Sequence, residues 1–364
     1  MKIGIVGLPN VGKSTLFNAL LRRQQALVAN YPFATIEPNV GVVPVRDLRL
    51  EKLAEIEKDE NKMPDLPPRI YATVSFVDIA GLVKGASEGA GLGNKFLSHI
   101  REVSLIAHVV RDFEDSNIIR EGSTDPKSDY EAIRTELILS DLQTLEKTNE
   151  KALRMDPSRK AAVEKLRSDL NLGKSAIDVA LSDEEKESIK EFNLLSSKPE
   201  IVVVNVSESE YTKNNLEKIV EKQSELLNIP GEKFVVICAK IESELSDLSE
   251  EDQRQYLLDL GLETSGLERL IVKAYDALGL QSFLTAGEKE VRAWTIKKGA
   301  SAQNAAGEIH TDFVKKFIKA EVVSFDDFVA NKGWKGSREV GKARIEGRDY
   351  ILKDGEVVEF KIGT

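Results

Sequence analysis

The segment Gly7-Leu8-Pro9-Asn10-Val11-Gly12-Lys13-Ser14 satisfies the pattern G-x-x-x-x-G-K-[ST] in full. Glycines at its two ends let the backbone wrap so that its N–H groups converge on phosphate oxygens. Lys13 brings positive charge to the β- and γ-phosphates, and Ser14 brings a hydroxyl suited to Mg²⁺. Such a loop works only between a strand and a helix. The apolar run 2–6 precedes it and a helical stretch, 15–21, follows, aiming its positive end at the same charge. Asn10, Val11, Gly12, Lys13, Ser14 and Thr15 are therefore the first candidate nucleotide-binding residues. The chain is bound to an α/β fold with parallel strands.

Further short runs of β-branched and aliphatic residues, 73–77, 105–110, 201–204 and 234–237, have the composition of strands buried on both faces. At 364 residues the chain is long enough for two to three domains. The predicted order is a nucleotide-binding domain in two parts, 1–128 and 196–278, interrupted by an insert at 129–195. A C-terminal domain spans 279–364. In the insert, Ile133, Leu137, Leu142 and Leu145, then Val163, Leu166 and Leu170, recur at helical spacing on either side of Asp156-Pro157-Ser158. That pattern predicts a helical hairpin, coiled-coil-like or packed on the main core. The C-terminal part is rich in glycine turns. Asp354-Gly355 between alternating runs predicts a terminal β-hairpin.

Asp78-Ile79-Ala80-Gly81 ends the strand pattern 73–77, where a GTPase-type fold carries D-x-x-G. Asp78 is expected to hold Mg²⁺ and the Gly81 N–H to sense the γ-phosphate. Thr35, in Tyr31-Pro32-Phe33-Ala34-Thr35, is the candidate first-switch threonine completing the metal shell with Ser14 and Asp78. Residues 81–94 are glycine-dense, which suits a segment ordered by nucleotide and released on hydrolysis. Leu82 stands where Ras-type enzymes place the glutamine that orients water. A leucine cannot polarise water, so another group must serve.

Guanine readers use N-K-x-D, whose Asp accepts from guanine N1–H and the exocyclic amine. The segment after 201–204 is instead Asn205-Val206-Ser207-Glu208: the lysine is missing and the acid is one methylene longer. Adenine offers at that edge only the N1 acceptor and the N6 amine. The altered motif thus removes the main reason to prefer GTP, and a GTPase with a distorted motif stays as the alternative. Cys238-Ala239-Lys240 follows the next strand, where GTPases place S-A-K to support the base. Asn205, Val206, Glu208, Cys238, Ala239 and Lys240 complete the candidate nucleotide contacts, with Cys238 read as a small packed residue.

With these motifs, Phe283-Leu284-Thr285-Ala286-Gly287, Glu290-Val291-Arg292-Ala293-Trp294-Thr295 and Ala306-Gly307-Glu308-Ile309-His310-Thr311-Asp312-Phe313 bring the chain close to a known group. Over essentially its whole length it resembles the YchF, or Obg-like ATPase, family. The resemblance implies a P-loop NTPase domain with a helical insert and a C-terminal TGS domain of β-grasp type. It also implies Mg²⁺-dependent hydrolysis of ATP in preference to GTP, and association with the ribosome. Family members often carry a histidine soon after an N-I-I run, but here Asn117-Ile118-Ile119 is followed by Arg120. Arg120 cannot act as a general base but can stabilise transition-state charge. His99 is the other candidate for a catalytic role, whereas His108 reads as packing.

The net charge of −10 excludes a generally basic nucleic-acid coat. Residues 280–364 are the exception, with 15 Lys and Arg against 13 Asp and Glu, so RNA contact is expected there and at the hairpin. Lys315, Lys316, Lys319, Lys332, Lys335, Arg338, Lys342 and Arg344 form either the candidate surface or a solvated face balanced by nearby acids, with Phe328 and Trp334 placed to stack or to pack. A single cysteine, no apolar run long enough to cross a membrane and no secretory signal predict a cytoplasmic chain. Three functions fit: an ATPase switch on the ribosome, a GTPase of the same fold, or a ribosome- or RNA-binding module in which turnover is incidental.

Overall fold

The computed structural model describes residues 1–28, 39–79, 91–113, 125–149, 153 and 155–363. These fall into two units, one built from 1–43 and 75–274 and the other from 44–74 and 275–364.

The first unit is organised on a sheet of order β2-β4-β1-β5-β6-β7: Val40–Val45, Ala72–Asp78, Lys2–Val6, Leu105–Asp112, Glu200–Val206 and Phe234–Ile237. Strands β4, β1, β5, β6 and β7 pair in parallel. The four strands β1, β5, β6 and β7 are buried almost throughout, as their unbroken aliphatic composition requires. Helix α1 (Lys13–Val28) follows β1 and helix α3 (Gly91–Glu102) precedes β5.

The insert forms as helices with a core of their own. Helix α4 (Pro126–Glu146) and helix α5 (Pro157–Asn171) start alike, with Asp125 and Asp156 accepting from the N–H groups of Ser128 and Arg159 and proline at the first helical position. Asp156-Pro157 is thus a helix start as well as a turn, because proline's missing N–H costs nothing there. Ile138, Leu145, Val163, Leu166 and Leu170 pack with Ala176, Ile189 and Leu194 from the segment returning to β6. That return is fastened by Asp141, buried on α4, which accepts the Leu195 and Ser196 N–H groups and the Ser196 hydroxyl at 2.6–2.8 Å. His108, buried on β5, stacks on Tyr130 of α4 at 4.8 Å, and both bond Glu200 of β6 at 2.8 Å. The histidine is packing, as expected, and also joins three elements.

The second unit holds a sheet of order β11-β10-β12-β8-β9-β3: Arg344–Glu346, Phe317–Val323, Val357–Ile362, Leu280–Ala286, Val291–Lys297 and Arg69–Ile70. Phe283, Ile296, Ala320, Val322 and Val358 pack with Ala302, Ala305 and Ala306 of the helix Ala302–Ile309. Residues 44–74, which the sequence assigns to the first domain, belong to this unit. Their helix α2 (Arg49–Glu60) contributes Leu50, Leu53, Ala54 and Ile56 as a buried face, and β3 pairs with β9. A two-residue strand and an amphipathic helix carry no mark of which sheet they join.

Two further expectations are corrected here. The terminal hairpin does not form: β12 pairs antiparallel with β10 and parallel with β8. Ile351 bridges Ser301 instead. The Asp354-Gly355 turn docks on β8, with Asp354 accepting the Ser282 N–H and Gly355 donating to the Ser282 carbonyl. The basic surface is also smaller than its sequence cluster. Arg338 is held by Glu321 and Glu359, Lys342 by Asp327 and Arg344 by Glu356. Phe328 and Trp334 are buried edge-to-face at 5.3 Å, so neither is free to stack on a base.

Glu57 lies on the buried face of α2, 2% exposed, with Oε2 bonded to Asn61 and Oε1 without a partner. Burial, reinforced by Glu60 and Glu288, pushes its carboxyl up to about 7. The folded chain therefore binds this proton more tightly than the unfolded one, and stability declines as pH rises from about 4.5 through 7. Glu57→Gln is expected to remove that slope and stabilise the chain at pH 8 by on the order of 2–3 kcal/mol. Thermal melts of both proteins between pH 5 and 8 test this, and parallel curves would refute it.

Candidate nucleotide site

The phosphate loop leaves the C-terminal end of β1, the strand flanked by β4 and β5. Asn10 and Gly12 both adopt left-handed φ, 63° and 101°, which brings the loop back over the start of α1. Gly7 has no room for a side chain, since a Cβ there would sit 2.6 Å from the Val109 carbonyl. At Gly12 a Cβ would strike the Asn205 amide.

Lys13 is buried, and its ammonium donates to the Leu8 carbonyl at 2.6 Å. Burial pushes its pKa down to about 8, against the pull of Asp78. Asp78 ends β4 level with Ile5, and burial raises its carboxyl while Lys13 lowers it. A strand-end acid and the loop lysine thus share one half-buried place, each charge wanting further counter-charge. Ser14 and Thr15 are exposed on the first turn of α1. Thr35, Gly81, Leu82 and Arg120 lie outside the described residues.

Asn205 ties the candidate base loops to the phosphate loop. From the end of β6 its Nδ2 donates to the Val11 carbonyl at 2.9 Å, and its Oδ1 accepts the Ala239 N–H at 2.9 Å. Each end of the amide makes one bond to the scaffold, so Asn205 helps to hold the phosphate loop and the 238–240 loop in place. Val206 is buried beside it. Glu208 is exposed and paired with Lys240 at 2.9 Å. Cys238 is buried before the helix Ala239–Leu245, and burial raises its thiol pKa, in keeping with a packed and unreactive residue.

His99 is exposed in the last turns of α3. That helix leads to Leu105, which is level with Ile3 near the start of β1. His99 therefore sits toward the end of the sheet opposite the P-loop and is not brought to the phosphates.

Sequence reasoning missed the support beneath residues 238–240. Glu242, buried on the helix after Cys238, accepts the Tyr211 hydroxyl at 3.0 Å and the Gly266 N–H at 2.6 Å. Arg269 donates to the same Tyr211 oxygen and to the Val236 carbonyl. Arg23 of α1 bonds Glu268 at 2.6 Å. These residues are scattered among many exposed charges, and no spacing marks them.

Comparison with known proteins places the chain in a family. Residues 2–152 match the family described as 50S ribosome-binding GTPase, and 280–363 match the YchF-type GTPase C-terminal family, described as a protein of unknown function (DUF933). The chain is 46% identical to the ribosome-binding ATPase YchF of Bacillus subtilis, covering 99% of each chain. It is 48% identical to that of Mycoplasma genitalium over the full length of both. The chain belongs to the YchF family. Its fold also matches the Schizosaccharomyces pombe YchF GTPase, with a TM-score of 0.86 and 36% identity over 99% of this chain and 97% of that one.

Removing the Asn205 amide leaves the Val11 carbonyl and Ala239 N–H unpaired in a buried place, a cost of about 1–3 kcal/mol. Asn205→Ala is expected to weaken ATP and GTP analogues alike, by roughly tenfold, leaving their ratio unchanged. Calorimetric titration checks this; selective loss of one nucleotide would make Asn205 a base reader.

Proposed function

We propose that this chain is a Mg²⁺-dependent ATPase whose nucleotide state governs its association with the ribosome. The observation that carries the nucleotide reading is the base motif itself. Asn205 bonds the scaffold at both ends, Lys is absent at 206, and the Glu208 carboxylate is engaged by Lys240. That arrangement offers guanine only the Glu208 carboxylate, already engaged, while backbone groups near Val206 can meet an adenine edge. The relatives named ribosome-binding ATPases support the same reading.

Lys13 releases Leu8 to meet the phosphates, and Gly81 lends its N–H to the γ-phosphate. Ser14, Asp78 and Thr35 are the residues that would hold Mg²⁺. The fit rests on Asp78: a half-buried carboxylate raised by burial gains from a divalent cation beside it. A cation held there would supply positive charge against the negative charge that develops on the phosphates. The group that orients water is assigned to neither Leu82 nor His99. Arg120 is retained as a candidate for stabilising transition-state charge. GTP preference is the second reading, favoured by the carboxylate still present at 208. Calorimetry with ATP and GTP analogues decides between them, because tighter GTP binding would reverse the assignment. Lys13→Ala is expected to abolish turnover; full activity in that variant would remove the P-loop from the chemistry.

For the ribosome we propose contact through the C-terminal unit, with the helical insert as a second surface. Lys315, Lys316 and Lys319 are exposed and, among the described residues, make no side-chain ion pair, unlike Arg338, Lys342 and Arg344. Charge reversal at all three is expected to weaken co-sedimentation with ribosomes and lower its salt slope by about 3. Unchanged pelleting across salt concentrations would exclude this surface. No described helix is long and apolar enough to cross a membrane; a cytoplasmic location is part of the same proposal.

A further inference from the structure

Lys240 follows β7 and Glu208 follows β6, so their contact spans the two loops that flank the base position. The ammonium lies 2.9 Å from Glu208 Oε1, and the two side chains are 66% and 47% exposed. The other polar side chains of the motif point elsewhere. Asn205 is bound to Val11 and Ala239, while Ser207 contacts Ser209 and Glu210 at 3.1 Å each. Glu208 is therefore the acid of this motif with which a base edge can interact, and Lys240 already occupies one of its oxygens.

The chemistry of the two purines makes that occupancy consequential. Guanine presents two donors side by side, N1–H and the exocyclic amine, and needs a carboxylate with both oxygens free. Adenine presents a lone pair at N1, which an unpaired carboxylate repels. A carboxylate held by an ammonium is a poor guanine receptor and a tolerable neighbour for adenine. The longer side chain at 208 makes the pairing reachable, and lysine at 240 supplies the partner.

We propose that the Glu208–Lys240 ion pair is a purine-specificity device, in which Lys240 withholds the Glu208 carboxylate from guanine. The proposal rests on the ATP reading above and names the residues that enforce it. An exposed pair of this kind contributes modestly and is screened by salt, so the discrimination it adds is several-fold and weakens as ionic strength rises. Lys240 is a positioning residue here: it acts on the base through Glu208.

The test is titration of non-hydrolysable ATP and GTP analogues with Mg²⁺ into the full-length protein and its Lys240→Met and Lys240→Arg variants, at low and high salt. Methionine keeps an unbranched apolar stem and removes the charge. Lys240→Met is expected to tighten GTP-analogue binding roughly three- to fivefold and weaken the ATP analogue about twofold. Lys240→Arg is expected to restore the wild-type ratio. The wild-type ratio should narrow with salt and that of Lys240→Met should not. A wild type that prefers ATP, with a Lys240→Met variant of the same preference, would overturn the specificity role and leave the ATP reading intact. A wild type without ATP preference would overturn both. A general loss of both nucleotides with an unchanged ratio would make Lys240 merely structural and also count against the proposal.

Discussion

The site depends on one amide. Asn205 stands at the end of β6 and holds the Val11 carbonyl of the phosphate loop with one end and the Ala239 N–H with the other. Three segments distant in sequence thus share a single planar group with fixed donor and acceptor. Its nearness explains why position 12 must be glycine, beyond the left-handed backbone there. Buried polar groups cost little when fully paired and much when half-paired, so this junction holds its geometry or loses it as a whole.

The supports around it follow the same principle at lower resolution. Glu242, Tyr211 and Arg269 brace the loop that supplies the Ala239 N–H, and Gly266 lets the next helix approach because a Cβ there would collide with Tyr211 and Glu242. Lys13 waits on the Leu8 carbonyl, a contact that phosphate oxygens can replace. A rigid frame therefore surrounds a cation whose partner is exchangeable, the division expected of a site that binds and releases anions.

Legibility in the sequence tracked how local the physical cause was. The phosphate loop was readable because its backbone demands glycine at fixed spacing, and β1, β5, β6 and β7 because burial on both faces favours aliphatic residues, whereas β4, expected to be like them, alternates between buried and more open positions. The Asp-Pro helix starts were half-readable: Asp156-Pro157 showed a break but not which side it served. Non-local pairings left no trace. Asp354-Gly355 has the composition of a hairpin turn, yet Ser282 takes its polar groups and β12 goes to β8 and β10. The sequence left the lysine and arginine cluster open between one surface and a face balanced by acids, because the acids that pair with it, such as Glu321 and Asp327, are brought near only by the fold. Asn205 was singled out by its motif, but its bonds to Val11 and Ala239 could not be read from spacing.

The division of the second unit bears on how the chain is made. Helix α2 and strand β3 emerge from the ribosome about two hundred residues before β8 and β9, the strands of their own sheet. Until those arrive, Leu50, Leu53, Ala54 and Ile56 have no native cover, while the strands of the first unit follow one another into a sheet. Synthesis at roughly 5–20 residues per second puts this interval at about ten seconds or more. The early segment is then an amphipathic helix whose apolar face awaits its partner, open to chaperones and to other nascent chains. Residues 280–297 are what close it, so a product cut short before them would keep the nucleotide loop yet expose the face that the longer chain hides.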